Sequence, residues 1–139
     1  GDLVNKGPKS VEVVRLARRE NFLAVRGNHD EAAVACVMAT GRYADGYKAE
    51  WEWVQGLDAD EVDWLRELPY TLTLPFLEPT VLCVHAGLIP GVPLQYQSPL
   101  NMVKMRDVRL ELDQESPLKS QFRATEKSAE GSVGWAEVW

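Results

Sequence analysis

Apolar and polar residues alternate along this chain with two different periods. In SVEVVRLARRE, residues 10–20, Val11, Val14, Leu16 and Ala17 recur at helical spacing with charges between them. The pattern predicts an amphipathic helix with Ser10 as its N-cap. Residues 22–25 (FLAV) form a continuous apolar run ending at Arg26-Gly27-Asn28, which predicts a buried strand that enters a loop. A second helix is expected over about 31–38, with Asp30 and Glu31 at the end that the helix dipole favours for acids. Residues 41–56 are aromatic-rich and irregular, with a short helix expected over 51–54. Asp58 reads as the N-cap of the helix ADEVDWLREL, which Pro69 closes.

Farther along, TLTLP (71–75) and TVLCVH (80–85) predict a hairpin across a Glu-Pro turn. The Pro- and Gly-rich loop HAGLIPGVP follows, then a short amphipathic helix over 100–106. Residues 110–129 are polar and are expected to form a surface excursion, and GWAEVW ends the chain on apolar aromatics. The alternation of strand and helix patterns predicts an α/β or α+β fold.

Composition narrows the function classes. The 139 residues suit one domain or part of a larger one, and 45% hydrophobic residues, including five Trp, can fill a core. The net charge of −6 argues against a general nucleic-acid or anionic-membrane binder, because no basic cluster exists to neutralise many phosphates. A small anionic substrate stays possible where metal ions or a few cationic side chains gather. Cys36 and Cys83 have no C-x-x-C spacing and read as buried free thiols of a reducing, cytoplasmic compartment. No apolar run reaches the ~20 residues of a membrane helix.

Three short stretches carry candidate chemistry. GNHD (27–30) presents a carboxamide, an imidazole and a carboxylate in succession after a glycine turn. Asn28 offers a hard oxygen ligand, His29 a ligand or proton carrier, and Asp30 a group that orients a histidine or caps the next helix. HAG (85–87) delivers His85 at the end of an apolar strand, and the chain's only two histidines thus occupy the same kind of position. In residues 1–8, Asp2 can bridge metals and Lys6 can meet a phosphate, although the P-loop spacing is absent. The plainer alternative makes each stretch an ordinary turn, helix cap or strand-edge histidine. Oxygen and imidazole donors without thiolates suit Mn, Fe, Zn or Mg-like ions, and a pair of such ions clamps both oxygens of an in-line phosphoryl displacement.

Taken together, GDLVNKG, GNHD and HAG resemble, in order, the second, third and fourth motifs of the PPP-type metallophosphoesterases. Within that group the chain is most similar to the ApaH-like branch, related to bacterial diadenosine tetraphosphatases. GWAEVW resembles the segment before the family's final GH. The resemblance implies an α/β (α+β) fold with a central β-sandwich flanked by helices and an active site at the strand C-terminal ends. It implies one catalytic domain over 1–139, expected to be a fragment that lacks the first (GDxHG) and last (GH) motifs. Such a fragment is expected to be marginally stable, to bind metal weakly and to be inactive alone.

By position, the resemblance makes Asp2 a bridge between two divalent ions (Mn, Fe or Zn), with Asn28 and His85 as ligands of the second. A metal-bound hydroxide would attack in line while His29, supported by Asp30, protonates the leaving oxygen. Lys6 and Arg106 would grip the substrate phosphate. Asn5-Lys6 stands where the protein phosphatases carry Asp-Arg, so the bidentate fork is lost and no carboxylate at residue 5 can polarise His29. This departure favours dinucleoside polyphosphates or cap-like nucleotides, including a capped RNA end, over phosphoproteins. The alternatives are a serine/threonine phosphoprotein phosphatase and a non-catalytic phosphatase-like binding or scaffold module.

Overall fold

The computed structural model describes residues 1–40, 49–76, 78–112 and 121–138, apart from the side chain of Thr40. Helices and strands are mixed, as the sequence pattern implies, in two compact units, Gly1–Cys83 and Val84–Trp139.

The first unit is mainly helical. Helix α1 (Ser10–Arg19) buries Ser10, Val14 and Ala17 and carries Arg18 and Arg19 in its last turn, where cations suit the dipole. Its N-cap is Lys9, with no side-chain cap bond; Ser10 is already helical, and its Oγ accepts the Asn5 amide at 2.9 Å. The expected Ser10 cap is therefore corrected, because the hydroxyl is spent on the preceding loop. At the other end, Phe22 N–H bonds to the Ala17 carbonyl and Asn21 N–H to that of Arg18, with Asn21 at φ 50°. This is a Schellman motif in which asparagine takes the left-handed position.

Residues 22–25 then depart from expectation. They enter no ladder among the described residues, and Phe22 and Leu23 are 52% and 67% exposed. A strand needs a partner for alternate amides and carbonyls, and no described strand supplies one here. Phe22 N–H is spent on the end of α1, and directly after the run Arg26 N–H donates to the Pro69 carbonyl at 2.7 Å.

Helix α2 (Asn28–Thr40) starts three residues earlier than its periodicity suggests. A 3-10 helix over Ala49–Gly56 covers the expected 51–54 helix; the rest of the aromatic-rich stretch, 41–48, lies outside the described residues. Helix α3 (Ala59–Glu67) has the expected Asp58 cap in a full capping box: Glu61 N–H donates to Asp58 Oδ1 and Asp58 N–H to Glu61 Oε2, both at 2.7 Å. The buried Glu61 carboxylate also accepts from Arg15 Nε at 2.7 Å, which ties α1 to α3. Val4, Val14, Ala33, Leu57, Val62 and Leu65 close the core of this unit, flanked by Trp51, Trp53 and Trp64. Burying each Val or Leu side chain contributes about 1.5–3 kcal/mol.

Strands β1 (Thr71–Leu74) and β2 (Val81–Val84) pair in a two-stranded sheet, the expected partnership, with a cis Glu78–Pro79 bond between them. Cys36 and Cys83 form no disulfide, as expected, but both are half-buried where burial was expected.

In the second unit, helix α4 (Pro99–Lys104) leads into β3 (Asp107–Glu111), the centre of an antiparallel sheet ordered β4-β3-β5. Here β4 is Gln121–Thr125 and β5 is Val133–Gly134. The register sets Asp107 against Thr125 and Glu111 against Gln121. The polar excursion expected over 110–129 is thus in part a hairpin; only its middle, 113–120, lies outside the described residues. Polarity misled because a small sheet with one solvated face needs few apolar residues. Val108 on β3 is fully buried, and Met102, Val103 and Met105 of the preceding segment are buried as well. Among the described residues no helix is long and apolar enough to cross a membrane.

Candidate active site

GNHD forms the N-terminal turn of α2, with Asn28 as the first helical residue. Asp30 is fully buried, and both its oxygens are engaged by backbone amides. Oδ2 accepts from Asp2 N–H and Gly27 N–H, and Oδ1 from Leu3 N–H, all at 2.9 Å. One carboxylate therefore joins the loop at residues 1–3 to the loop at 27–30, at the helix end where negative charge is favoured. In return, His29 N–H donates to Asp2 Oδ1 at 3.0 Å. Gly27 is required by proximity, since a Cβ there would collide with the backbone nitrogen and Oδ1 of Asp2. Asp2 and Asn5 sit in the left-handed region at φ 58° and 73°, a conformation that Asp and Asn tolerate better than most residues.

Asn5 meets the histidine directly. Its Nδ2 lies 3.3 Å from His29 Nδ1, while its Oδ1 accepts from Trp53 Nε1 at 3.2 Å. A carboxamide thus occupies the place where the sequence resemblance called for a carboxylate. Exposed Lys6 lines a cavity of about 370 Å³ together with Asn5, Ser10, Glu50 and Trp53.

Beside this site, buried Arg26 donates through Nη1 to Glu31 Oε2 (2.9 Å) and to Tyr70 Oη (3.1 Å), and its guanidinium lies 4.9 Å from the Tyr70 ring centre. Tyr70 Oη donates to the same Glu31 oxygen at 3.1 Å. Burial pushes the Tyr70 phenol above its ordinary value, Arg26 pulls it back, and the Glu31 carboxylate adds to the rise. Neither this trio nor Trp53 stands out in the sequence, since each is assembled from residues far apart in the chain.

Within the second unit, His85 directly follows β2, at the strand end that its sequence predicts. Ala86 N–H bonds to the Met102 carbonyl at 2.7 Å. A Cβ on Gly87 would lie 2.6 Å from both Met105 Cε and the Trp135 ring, so the glycine of HAG is where GWAEVW packs. Exposed Arg106 joins α4 to β3, and its amide donates to the Thr125 carbonyl at 2.8 Å. The structure accordingly places Asp2, Asn5, Lys6, Asn28, His29 and Asp30 in the first unit, whereas His85 and Arg106 belong to the second.

The same motifs are met in known proteins. The model for the calcineurin-like phosphoesterase family matches residues 1–137. The chain belongs to the calcineurin-like phosphoesterases. Relatives named symmetrical bis(5'-nucleosyl)-tetraphosphatase include one from Aromatoleum aromaticum, 37% identical over 66% of this chain and 33% of its own length. Another, from Pseudomonas putida, is 34% identical over 81% of this chain and 40% of its own. A solved structure assigned as a diadenosine tetraphosphatase is 32% identical, with a TM-score of 0.78 over the whole of this chain and 55% of that one. The chain thus spans about a third to two-fifths of the length of these curated relatives.

Calcineurin-like phosphoesterases generally use divalent metal ions. Asp2 and Asn28 bring oxygens, the donor type that hard divalent cations prefer. The His29 amide holds one Asp2 oxygen in place. In donor chemistry these two residues fit part of such a site, while no three His, Cys, Asp or Glu side chains converge on one among the described residues.

Proposed function

We propose that this calcineurin-like phosphoesterase hydrolyses phosphoanhydride bonds of dinucleoside polyphosphates or cap-like nucleotides with the aid of two divalent ions. The observation that carries the reading is the junction of the two loops. Asp2 and the Asn28–His29 pair, distant in sequence, are fixed against each other by the His29 amide and the Asp30 carboxylate. The names of the relatives support a nucleotide substrate. Asp2, Asn28 and His85 would hold the ions. When bound, such ions supply Lewis acidity to the phosphoryl group and to the attacking water.

The protein's own residues do the rest. His29 gives a proton to the leaving oxygen. Lys6 at its cavity wall and Arg106 bind phosphate oxygens, Lys6 as a point charge and Arg106 through its planar fork. Asp30, with both oxygens engaged by amides, is a positioning residue that holds Asp2 and His29 in register.

Incubating the full-length protein that carries these residues with Mn²⁺ and diadenosine tetraphosphate, capped RNA or a phosphoserine peptide tests this reading. Turnover of the dinucleotide is expected, reduced about 10²–10⁴-fold by His29→Ala, the usual contribution of a general acid. Turnover of the peptide alone would make the protein a phosphoprotein phosphatase. Binding of phosphate ligands without any turnover would make it a recognition module.

A further inference from the structure

The contacts of Asn5 determine more than its place in the loop. An indole N–H is a donor only, so the Asn5 atom 3.2 Å from Trp53 Nε1 must be the amide oxygen. The opposite orientation would set N–H against N–H. With its oxygen committed to Trp53, the carboxamide turns its NH₂ group toward His29 Nδ1, 3.3 Å away. An NH₂ group can only donate there, so Nδ1 must accept, and the single proton of the neutral imidazole resides on Nε2. The Asn5 backbone is held as well, by its own amide bond to Ser10 Oγ and a φ of 73°. The carboxamide is therefore aimed from both ends.

We propose that Trp53 and Asn5 form a positioning relay that fixes His29 as the Nε2–H tautomer, so that the ring presents a hydrogen-bond donor on the side away from Asn5. A carboxylate at residue 5 would do the reverse: it would draw the proton to Nδ1 and leave Nε2 as an acceptor. The exchange of acid for amide at this position thus selects which face of the histidine gives and which receives. The relay describes the neutral ring, the form that precedes uptake of the proton a general acid spends. It rests on the proposed function only in that His29 meets the leaving oxygen, and the tautomer itself does not depend on turnover.

Long-range ¹H–¹⁵N NMR of the ¹⁵N-labelled, metal-free protein reads the tautomer directly, at a pH well above the ordinary histidine value of about 6.5. With only two histidines in the chain, a His29→Gln spectrum assigns the signals. The native protein is expected to show a pyridine-type Nδ1 and a pyrrole-type Nε2 for His29. Asn5→Asp is expected to exchange the two, and Trp53→Phe, which frees the amide to turn over, to give a mixture. A native His29 with its proton on Nδ1 would overturn the proposal, as would a Trp53→Phe variant that retains the native pattern. Should Asn5→Asp fail to fold, the native and Trp53→Phe spectra still decide. A protein that hydrolyses no dinucleotide but shows the Nε2–H pattern would refute the proposed function and leave the relay standing.

Discussion

At the scale of single residues, the site is organised by the saturation of one buried carboxylate. Asp30 reads in sequence as a histidine orienter or a helix cap, and its bond from Gly27 N–H, the residue before α2, bears out the cap. Local spacing could not reveal that the same carboxylate also receives the amides of Asp2 and Leu3, which come from a loop far off in the chain. Truncating it would strand those donors, at about 1–3 kcal/mol for each group left unpaired in a buried place. Asp30→Ala is therefore expected to lower stability by about 3 kcal/mol, seen as a reduced urea midpoint at constant slope. A midpoint unchanged from the native one would show that the carboxylate does not hold the loops. Tyr70 gives a second expectation. Its phenol holds its proton more tightly in the folded protein than in the unfolded chain, because of burial first and then Glu31. The stabilisation this provides is complete below the ordinary tyrosine value of about 10 and is lost as pH rises through the folded value. The melting temperature should fall more steeply in that alkaline range for the native protein than for Tyr70→Phe; equal slopes would refute the linkage.

At the scale of elements, legibility followed the strength of local chemistry. The Asp58 cap, the start of α3 and the pairing of 71–75 with 80–85 are all visible in the sequence, since capping and turn residues act over a few positions. Ser10 looked like a cap of the same kind but serves Asn5, a contact decided by the fold of the preceding loop. FLAV looked like a strand because apolar runs usually are, yet a strand exists only with a neighbour. The β3–β4 pair was hidden for the opposite reason, as its exposed face is rich in charge, including an Arg123–Glu111 bridge at 2.9 Å. Removing the α3 cap is expected to cost about 1 kcal/mol. Asp58→Ala should shift the thermal midpoint downward accordingly, whereas Asp60→Ala, one turn position inside the helix and without a cap bond, serves as the control. A drop in the control as large as that of Asp58→Ala would discount the capping box.

At the scale of the whole molecule, three motifs ordered along the chain pointed to the family, and the match over residues 1–137 bears that out. Mixed helices and strands follow the same expectation. What remained illegible is how apolar surface is shared between core and solvent. Leu23 and Phe22 border a cavity of about 310 Å³ whose other walls include Trp64, Leu68 and Leu72. Open apolar walls of this kind take up hydrophobic dyes, so Leu23→Ser is expected to weaken 1-anilinonaphthalene-8-sulfonate fluorescence of the native protein without loss of melting temperature. Fluorescence equal to that of the native protein would mean that the wall is not accessible. The Asp30 clasp, finally, makes the two loops breathe as one. Since the amides of Asp2, Leu3 and Gly27 share a single acceptor group, a rotation that frees one oxygen loosens the hold on the others. Opening of the site then has the character of a latch with two settings, either both loops in register or both released, and graded loosening of one loop alone is suppressed.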